Sequence, residues 1–468
     1  MATDIIILAA GQGTRMKSSL PKVLHTVCGE AMLPRLLKAA DKAIGDVGGA
    51  SFNIVVGHGK DAVIAAVKAL VDDGRIKAPV RFTVQEQQRG TGHAVKLALE
   101  AGGGGATVAV LNGDLPLMGE SDLREFFAAH AKAKSHATLA SAVGAAPTGY
   151  GRVVRKGGTF LAVVEEKDAT PKQRAIKEVN GGIYLFRRDA LTRLIPKLKS
   201  ANKAGEFYLP DLFQLALKSK MKTLAHVMAD GASLLGANNM AELAEAERLL
   251  RQRINNHWMK EGVRLIDPAT TYIGSDVQLA PGVVIGPGTI IEGTSRIGEG
   301  VAIGAHCVLR DVSVAYGAVI KAGVVAEKAE IGMRTAVGPM AHFRPGTIVA
   351  EDAKIGNFVE IKASTIGAKT SVSHLSYVGD AQIGKRVNIG CGFVTCNYDG
   401  KSKHKSIIGD DVFIGSDSQV VAPIEIAAGT YVGSGSTVTE SVPEPDSLVI
   451  ARTRQVTKPG YAKRYRKS

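Results

Sequence analysis

The sequence predicts an α/β fold in the N-terminal half of the chain and a parallel β-helix in the C-terminal half, joined by one long helix. Three observations predict it. A six-residue aliphatic period runs through the C-terminal half; a strand-like run feeding a glycine-rich turn opens the chain; and Asn239 to Lys260 hold a helical apolar pattern without Gly or Pro.

The six-residue period stands at Ile273, Leu279, Ile285, Ile291, Ile297, Ile303 and Leu309. It returns at Val319, Val325, Ile331, Val337, Phe343, Val349, Ile355 and Ile361, and again at Ile408, Ile414, Val420, Ile426, Val432 and Val438. A helix face recurs about every 3.6 residues and a strand face every two, so this period describes a coil that turns a corner once per hexad. A parallel β-helix does so. Each inward Ile or Val stacks on its equivalent one coil on and contributes roughly 2 kcal/mol of burial, which no single rung achieves alone. Glycine follows the aliphatic residue at Gly274, Gly286, Gly298, Gly304, Gly332, Gly356, Gly409 and Gly415, where conformational freedom and a missing side chain both suit a corner. The rhythm slips by one residue between Ile361 and Ile366 and between Val378 and Ile383, and breaks out between Ile389 and Ile408. Cys391 to Lys405 therefore predicts a loop expelled from the coil wall, a usual place for binding.

The 468 residues, 45% of them hydrophobic, suffice for two or three domains with packed cores. A net charge of +14 is compatible with nucleic acid, a membrane surface or anionic small substrates. The basic residues are scattered except in the tail Lys463-Arg464-Tyr465-Arg466-Lys467, which reads as a solvated end or a phosphate-binding segment. No RNA-binding aromatic signature is present, and no apolar stretch approaches the roughly 18 residues a membrane span needs, so neither nucleic acid nor membrane insertion is expected. Cys28, Cys307, Cys391 and Cys396 form no CxxC pair and no zinc spacing, as expected of reduced thiols in a cytoplasmic protein.

Ile5 to Leu8 is a buried-strand run, and Ala9-Ala10-Gly11-Gln12-Gly13-Thr14-Arg15-Met16 follows at once. A strand feeding a glycine-rich turn lets backbone N–H groups approach a phosphate. Met16 stands where a dinucleotide fingerprint needs Gly, and no GxxxxGK is present, so the dinucleotide and P-loop readings both fail. Ile54 to Gly57 and Arg81 to Val84 read as strands after helical stretches, an alternation of β and α. Thr107 to Leu111 is a further strand, ending in Asn112-Gly113-Asp114. A carboxylate just past a strand's C-terminal end stands where open α/β sheets bind ligands, and an oxygen donor there suits magnesium.

The string from Ala9 to Met16 with Pro21-Lys22 resembles the signature of sugar-nucleotide pyrophosphorylases. The resemblance implies a Rossmann-like mixed sheet in a nucleotidyltransferase domain. Leu8, Ala9, Ala10 and Gly11 would cradle UTP, with Arg15 and Lys22 against its phosphates in a catalytic role. Gln85 and the Gly90-Thr91 turn would read the uracil, while His93 is expected to hold that loop as a helix-start residue. Asn112 and Gly113 lead to Asp114, which with Asn238 would ligate magnesium. Gly151, Glu165 and Asn180 would hold the N-acetylglucosamine. Gly181 and Pro210 stand where the family commonly shows Thr, so no hydroxyl contact is expected from either.

The hexad pattern resembles the left-handed β-helix of hexapeptide acyltransferases, which are typically trimeric with active sites between subunits. Phe343-Arg344-Pro345-Gly346, Asn357 to Lys362, His374 to Asp380 and Cys396 to Gly400 resemble the acetyltransferase half of the bifunctional enzymes that make UDP-N-acetylglucosamine. With the N-terminal motifs, the resemblance covers essentially the whole chain. It implies His374 as general base toward the amine of glucosamine 1-phosphate, a task that suits an imidazole. Arg344, Lys362, Tyr377 and Asn388 would hold the sugar phosphate. Cys391, Asn397, Tyr398, Ser416, Ser434 and Arg452 would contact acetyl-CoA, with Cys391 acting through its backbone only. The N-acetylglucosamine 1-phosphate so formed would then be coupled to UTP. The alternative is a pyrophosphorylase whose β-helix only assembles or regulates subunits. The expected limits are 1–241 for the pyrophosphorylase, 242–262 for a helical linker and 263–468 for the acetyltransferase of a cytoplasmic homotrimer.

Overall fold

The computed structural model describes residues 3–45, 50–144 and 149–465. Arg466 and Lys467 of the basic tail lie outside them. The chain forms two compact units, Met1–Leu250 and Arg251–Ser468. The helix Met240–Lys260 carries the chain from the first to the second. Among the described residues no helix is long and apolar enough to cross a membrane.

The first unit is built on a nine-stranded mixed sheet. Its strands are β1 (Thr3–Ala9), β2 (Ser51–Val56), β3 (Val80–Val84), β4 (Thr107–Asn112), β5 (Ala137–Val143), β6 (Arg152–Lys156), β7 (Thr159–Val164), β8 (Glu178–Arg187) and β9 (Thr223–Val227). The main order is β9-β5-β8-β4-β1-β2-β3, with the β6–β7 hairpin extending from β8. β1 runs parallel to β2 and β4, and β8 antiparallel to β4 and β5. Ile5 and Ile7 enter the core on one face of the sheet and Ile6 enters the core on the other. This explains why the opening strand is a continuous apolar run instead of an alternating one. The parallel alignment puts the C-terminal ends of β1 and β4 side by side, with Leu8 opposite Asn112.

The second unit is a β-helix whose three faces are parallel sheets of 11, 10 and 9 short strands. Tyr272 pairs with Ile290 and Gln278 with Arg296, so a full rung spans three hexads. The expected column from Ile273 to Leu309 is buried, as is the column from Ile408 to Val438. The one-residue slips keep Ile366, Val372, Val378, Ile383 and Ile389 inward. The expelled loop appears but is shorter than expected: Val394–Cys396 stays in the wall as a strand with Phe393 buried beside it, and the insertion falls between Cys396 and Ser406. Gln382 pairs with Ile407 and Asn388 with Phe413, 25 positions on, where Gln382's own predecessor Thr365 stands 17 back.

Two expectations need correction. Val319 and Val325 face outward, 43% and 41% exposed, while Ile320 and Ala326 fill the core at 1% each. A step of five residues from Leu309 to the buried Val314 shifts the register, and the Val-Ile and Val-Ala pairs offer an apolar residue in either phase. The corner glycines are also explained only in part. None of the eight has positive φ. All but Gly274 are required because the next rung passes too close: a Cβ on Gly304 would lie 2.6 Å from the Ala322 nitrogen, and one on Gly415 2.4 Å from the Ser434 nitrogen. Left-handed corners are made by other residues, among them His306, Asp352 and Asp417.

Ile297 is 3% exposed in the middle of this stack. Ile297→Asp places a carboxylate where it loses hydration and gains no partner, at a cost of more than about 4 kcal/mol. Thermal unfolding is expected to show a collapsed midpoint for the second unit; an unchanged midpoint would contradict the position of Ile297 in the column.

Candidate functional sites in the two units

In the first unit, Leu8, Ala9, Ala10, Gly11, Lys22, Gln85, Gly90, Thr91, Asn112 and Asp114 line one cavity of about 380 Å³. It opens at the C-terminal ends of β1 and β4, where the sheet's loops diverge. Gly113 lies behind it, its N–H donating to the Leu8 carbonyl at 3.0 Å. Gly13, at φ 61°, folds the glycine-rich turn so tightly over Lys22 that a Cβ would approach the lysine side chain to 2.8 Å.

The Lys22 ammonium donates to the Asp114 carboxylate and, at 2.7 Å, to the Asn238 amide oxygen. Arg15 donates to the same Asn238 oxygen at 2.9 Å. Two oxygens from distant parts of the unit, Asp114 and Asn238, thus converge on a cationic centre. The Asn238 amide nitrogen donates to Glu242 at 2.9 Å, which fixes its oxygen toward Lys22. No cluster of three or more His, Cys, Asp or Glu with metal-site geometry occurs among the described residues. One carboxylate and one amide oxygen fit a hard cation that keeps water and takes its remaining ligands from phosphates, which is the habit of magnesium.

Among the residues expected to hold the sugar, a Cβ on Gly151 would lie 3.0 Å from a Glu165 carboxylate oxygen, and the Gly151 carbonyl accepts from the Asn180 N–H at 2.8 Å. The Asn180 side chain donates to the Tyr184 hydroxyl at 2.7 Å. Gly151, Glu165 and Asn180 are therefore together. Burial, then the charges of Asp211, Asp168 and Glu206, pushes the Glu165 carboxyl up to about 7.

In the second unit, the His374 Nδ1–H donates to the Asn357 Oδ1 at 2.7 Å, so in the neutral ring the bare nitrogen is Nε2. Asn357 and His374 are register partners. The same register continues through Ile389, Ile414 and Val432, so Cys391, Ser416 and Ser434, two residues after each, stack on the rungs beyond His374. The ladder confirms the stack: Asp417 N–H donates to the Cys391 carbonyl at 2.6 Å and Gly435 N–H to the Ser416 carbonyl at 2.8 Å. Arg452 is exposed at the end of this edge, its Cδ 4.0 Å from where a Gly435 Cβ would stand. Asn388 is exposed on the strand just before the same corner.

Across that corner lies a charged patch. Arg344 pairs with Glu360 at 3.0 Å, and Lys362 with Asp380 at 3.5 Å. Asn397 donates to the same Asp380 oxygen at 2.5 Å. Tyr377 stands opposite Glu360 in register and reaches over Gly379. From the expelled loop, Lys403 meets Lys362, and the like charge lowers Lys403. Tyr398 is exposed and bridges Lys403 across the loop.

A MobA-like NTP transferase domain model matches residues 5–208, and a bacterial transferase hexapeptide model of six repeats matches residues 405–440. The chain is 45% identical over 458 residues to the bifunctional protein GlmU of Geotalea uraniireducens, covering 97% of this chain and 98% of that one. It is 44% identical over 458 residues to that of Trichlorobacter lovleyi and 42% over 459 residues to that of Halalkalibacterium halodurans, in both cases with 97% of each chain covered. The chain belongs to the bifunctional GlmU family. It is accordingly a nucleotidyltransferase and acyltransferase of UDP-N-acetylglucosamine synthesis acting on small molecules.

Against the GlmU pattern expected from sequence, the departure at Gly181 has a packing reason. A Cβ there would lie 2.4 Å from Leu234, which is itself 2% exposed, so no Thr fits and no hydroxyl is offered. Pro210 precedes the helix Asp211–Lys218 and supplies no hydroxyl either. His93 holds its loop as expected, 3.1 Å from Gln85. Sequence reasoning missed Gln88 and Glu206 in the cavity wall, and gave no role to Asn357, Asp380 or Asp399. Asp399 accepts from the Lys401 and Ser402 N–H groups and from His404, folding the expelled loop, and these bonds hold it far below the usual carboxylate range. The Asp399-Gly400-Lys401-Ser402 string is an Asx-turn signal that announces this much.

The raised Glu165 carboxyl has a consequence for stability. Its folded-state value of about 7 exceeds the ordinary 4.5, so the stability of the protonated form is fully present below about 4.5 and is lost as pH rises through about 7. Glu165→Gln, which cannot ionise, is expected to raise the unfolding midpoint of the first unit at pH 8 and leave it near wild type at pH 4.5. Equal shifts at both values would show that ionisation is not what strains the site.

Proposed function

We propose that the second unit acetylates glucosamine 1-phosphate from acetyl-CoA and that the first unit couples the product to UTP, releasing pyrophosphate. The observation that carries this reading is that each unit has its own converging constellation: Asp114, Asn238 and Lys22 in the first, His374 with Asn357 in the second.

In acetyl transfer, the bare His374 Nε2 takes a proton from the substrate ammonium, because only the free amine has a lone pair for attack on the thioester carbonyl. Asn357 holds the ring in that tautomer. Arg344, Lys362 and Tyr377 grip the phosphate, with Asn388 beside them. The acetyl-CoA lies along the corner stack of Cys391, Ser416 and Ser434 toward Arg452, with Asn397 and Tyr398 on the loop side. As the C–N bond forms the C–S bond breaks, the departing CoA thiolate takes the proton held by His374, and the second proton of the attacking nitrogen passes to solvent.

In uridylyl transfer, Arg15, Lys22 and the Leu8-Ala9-Ala10-Gly11 backbone hold the triphosphate while Gly151, Glu165 and Asn180 orient the sugar. A sugar-phosphate oxygen attacks the α-phosphorus, and catalysis is positioning plus charge neutralisation. Magnesium, held by Asp114 and Asn238, would supply Lewis-acid neutralisation of the phosphates when bound.

The exposed apolar corner of Met340, Phe358 and Leu375 runs beside His374 and is a surface for a second copy, which supports a homotrimer with shared acetyltransferase sites. Four free cysteines suit the cytoplasm. The test is to assay both partial reactions on the full chain with glucosamine 1-phosphate, acetyl-CoA, UTP and magnesium, and to measure its mass in solution. Uridylyl transfer without acetyl transfer would leave the β-helix a scaffold.

A further inference from the structure

We infer that His93 is a positioning residue that sets base selectivity, by fixing which end of the Gln85 amide meets the nucleobase. The inference rests on the proposed uridylyl transfer. Gln85 is 5% exposed and lines the cavity, with its backbone N–H bound to the Val56 carbonyl at 2.8 Å. Its Nε2 lies 3.3 Å from the Gly90 carbonyl and 3.1 Å from His93 Nδ1. A carbonyl can only accept, so the nitrogen end of the amide faces Gly90. The second N–H then goes to His93 Nδ1, which must be the bare nitrogen of a neutral ring.

Both hydrogens of the amide are thereby spent inside the protein. Only the Gln85 oxygen remains for a ligand, and an oxygen only accepts. Beside it, the first N–H groups of the helix Thr91–Glu100 have no partner within that helix; that of Gly92 donates to the Phe207 carbonyl at 2.8 Å, and those of Thr91 and His93 stand as donors. Gly90 brings them close: at φ 100° it packs so tightly that a Cβ would lie 2.7 Å from the Phe207 carbonyl. One acceptor beside donors matches the imide edge of uracil, whose N3–H sits between two carbonyls. Cytosine has a bare N3 at that position, and two lone pairs would face each other.

Without the His93 acceptor, only the Gly90 bond holds the Gln85 amide, and a turn that gives up this bond points the nitrogen outward, where an N–H donates to the cytosine N3. The side chain of Asn places an amide oxygen close to where the histidine Nδ1 stands, and it can restore the lock.

The test measures kcat/KM for UTP and CTP, with N-acetylglucosamine 1-phosphate and magnesium, on the full chain and on His93→Leu, His93→Ala and His93→Asn, with circular dichroism melts to identify folded variants. The UTP-to-CTP ratio is expected to fall about ten-fold or more in the Leu and Ala variants, chiefly through a higher KM for UTP, and to recover in His93→Asn. A wild-type ratio in whichever removal variant folds, or the same loss in His93→Asn, overturns the inference. A wild-type chain that uses neither nucleotide overturns the uridylyl reading itself, which keeps the two failures distinct.

Discussion

His374→Ala is expected to lower acetyl transfer by about 10² to 10⁴-fold, the range for a positioned acid–base group. The loss should fall in turnover. In the proposed arrangement the phosphate grip belongs to Arg344 and Lys362 and the acetyl-CoA contacts to the corner stack and the loop, none of which the substitution touches. His374 is exposed at a corner, so removing its ring leaves no cavity and the fold should persist. Uridylyl transfer should hardly change, since its residues all lie within Met1–Leu250. Steady-state rates for both half-reactions check this. Wild-type acetylation by the folded variant would remove His374 from the mechanism.

Asp114→Ala is expected to lower uridylyl transfer by about 10³-fold or more, with acetyl transfer intact. The substitution removes the only carboxylate of the oxygen pair and leaves Lys22 with Asn238 alone. Lys22 would then bring its positive charge to the phosphates without its counter-ion, so some triphosphate binding should survive while magnesium-dependent turnover does not. Titrating magnesium against rate separates the two effects. Parallel loss of both activities in a folded chain would contradict two independent sites.

Much of the candidate machinery was legible because its signals are local. The turn after β1, the carboxylate past β4 and the hexads each fall within one element and its loop, and the periods of helix, strand and coil differ enough to be read from spacing. The outward phase of Val319 and Val325 was not legible, because both neighbouring residues are apolar and only stacking on adjacent rungs selects one. The role of Asn357 was equally hidden. It lies 17 positions before His374, and its contact exists only because the coil closes a rung over that distance.

By itself the sequence determined the two architectures, the family-like motifs and the residue types each reaction requires, because hydrophobic period and turn chemistry act over a few residues. Only the tertiary structure decided that Lys22 joins Asp114 and Asn238, that burial among Asp211, Asp168 and Glu206 lifts Glu165, and that Leu234 fills the space beside Gly181. Each depends on groups far apart in the chain, and their distances and shared burial are set when the sheet closes and its loops pack together.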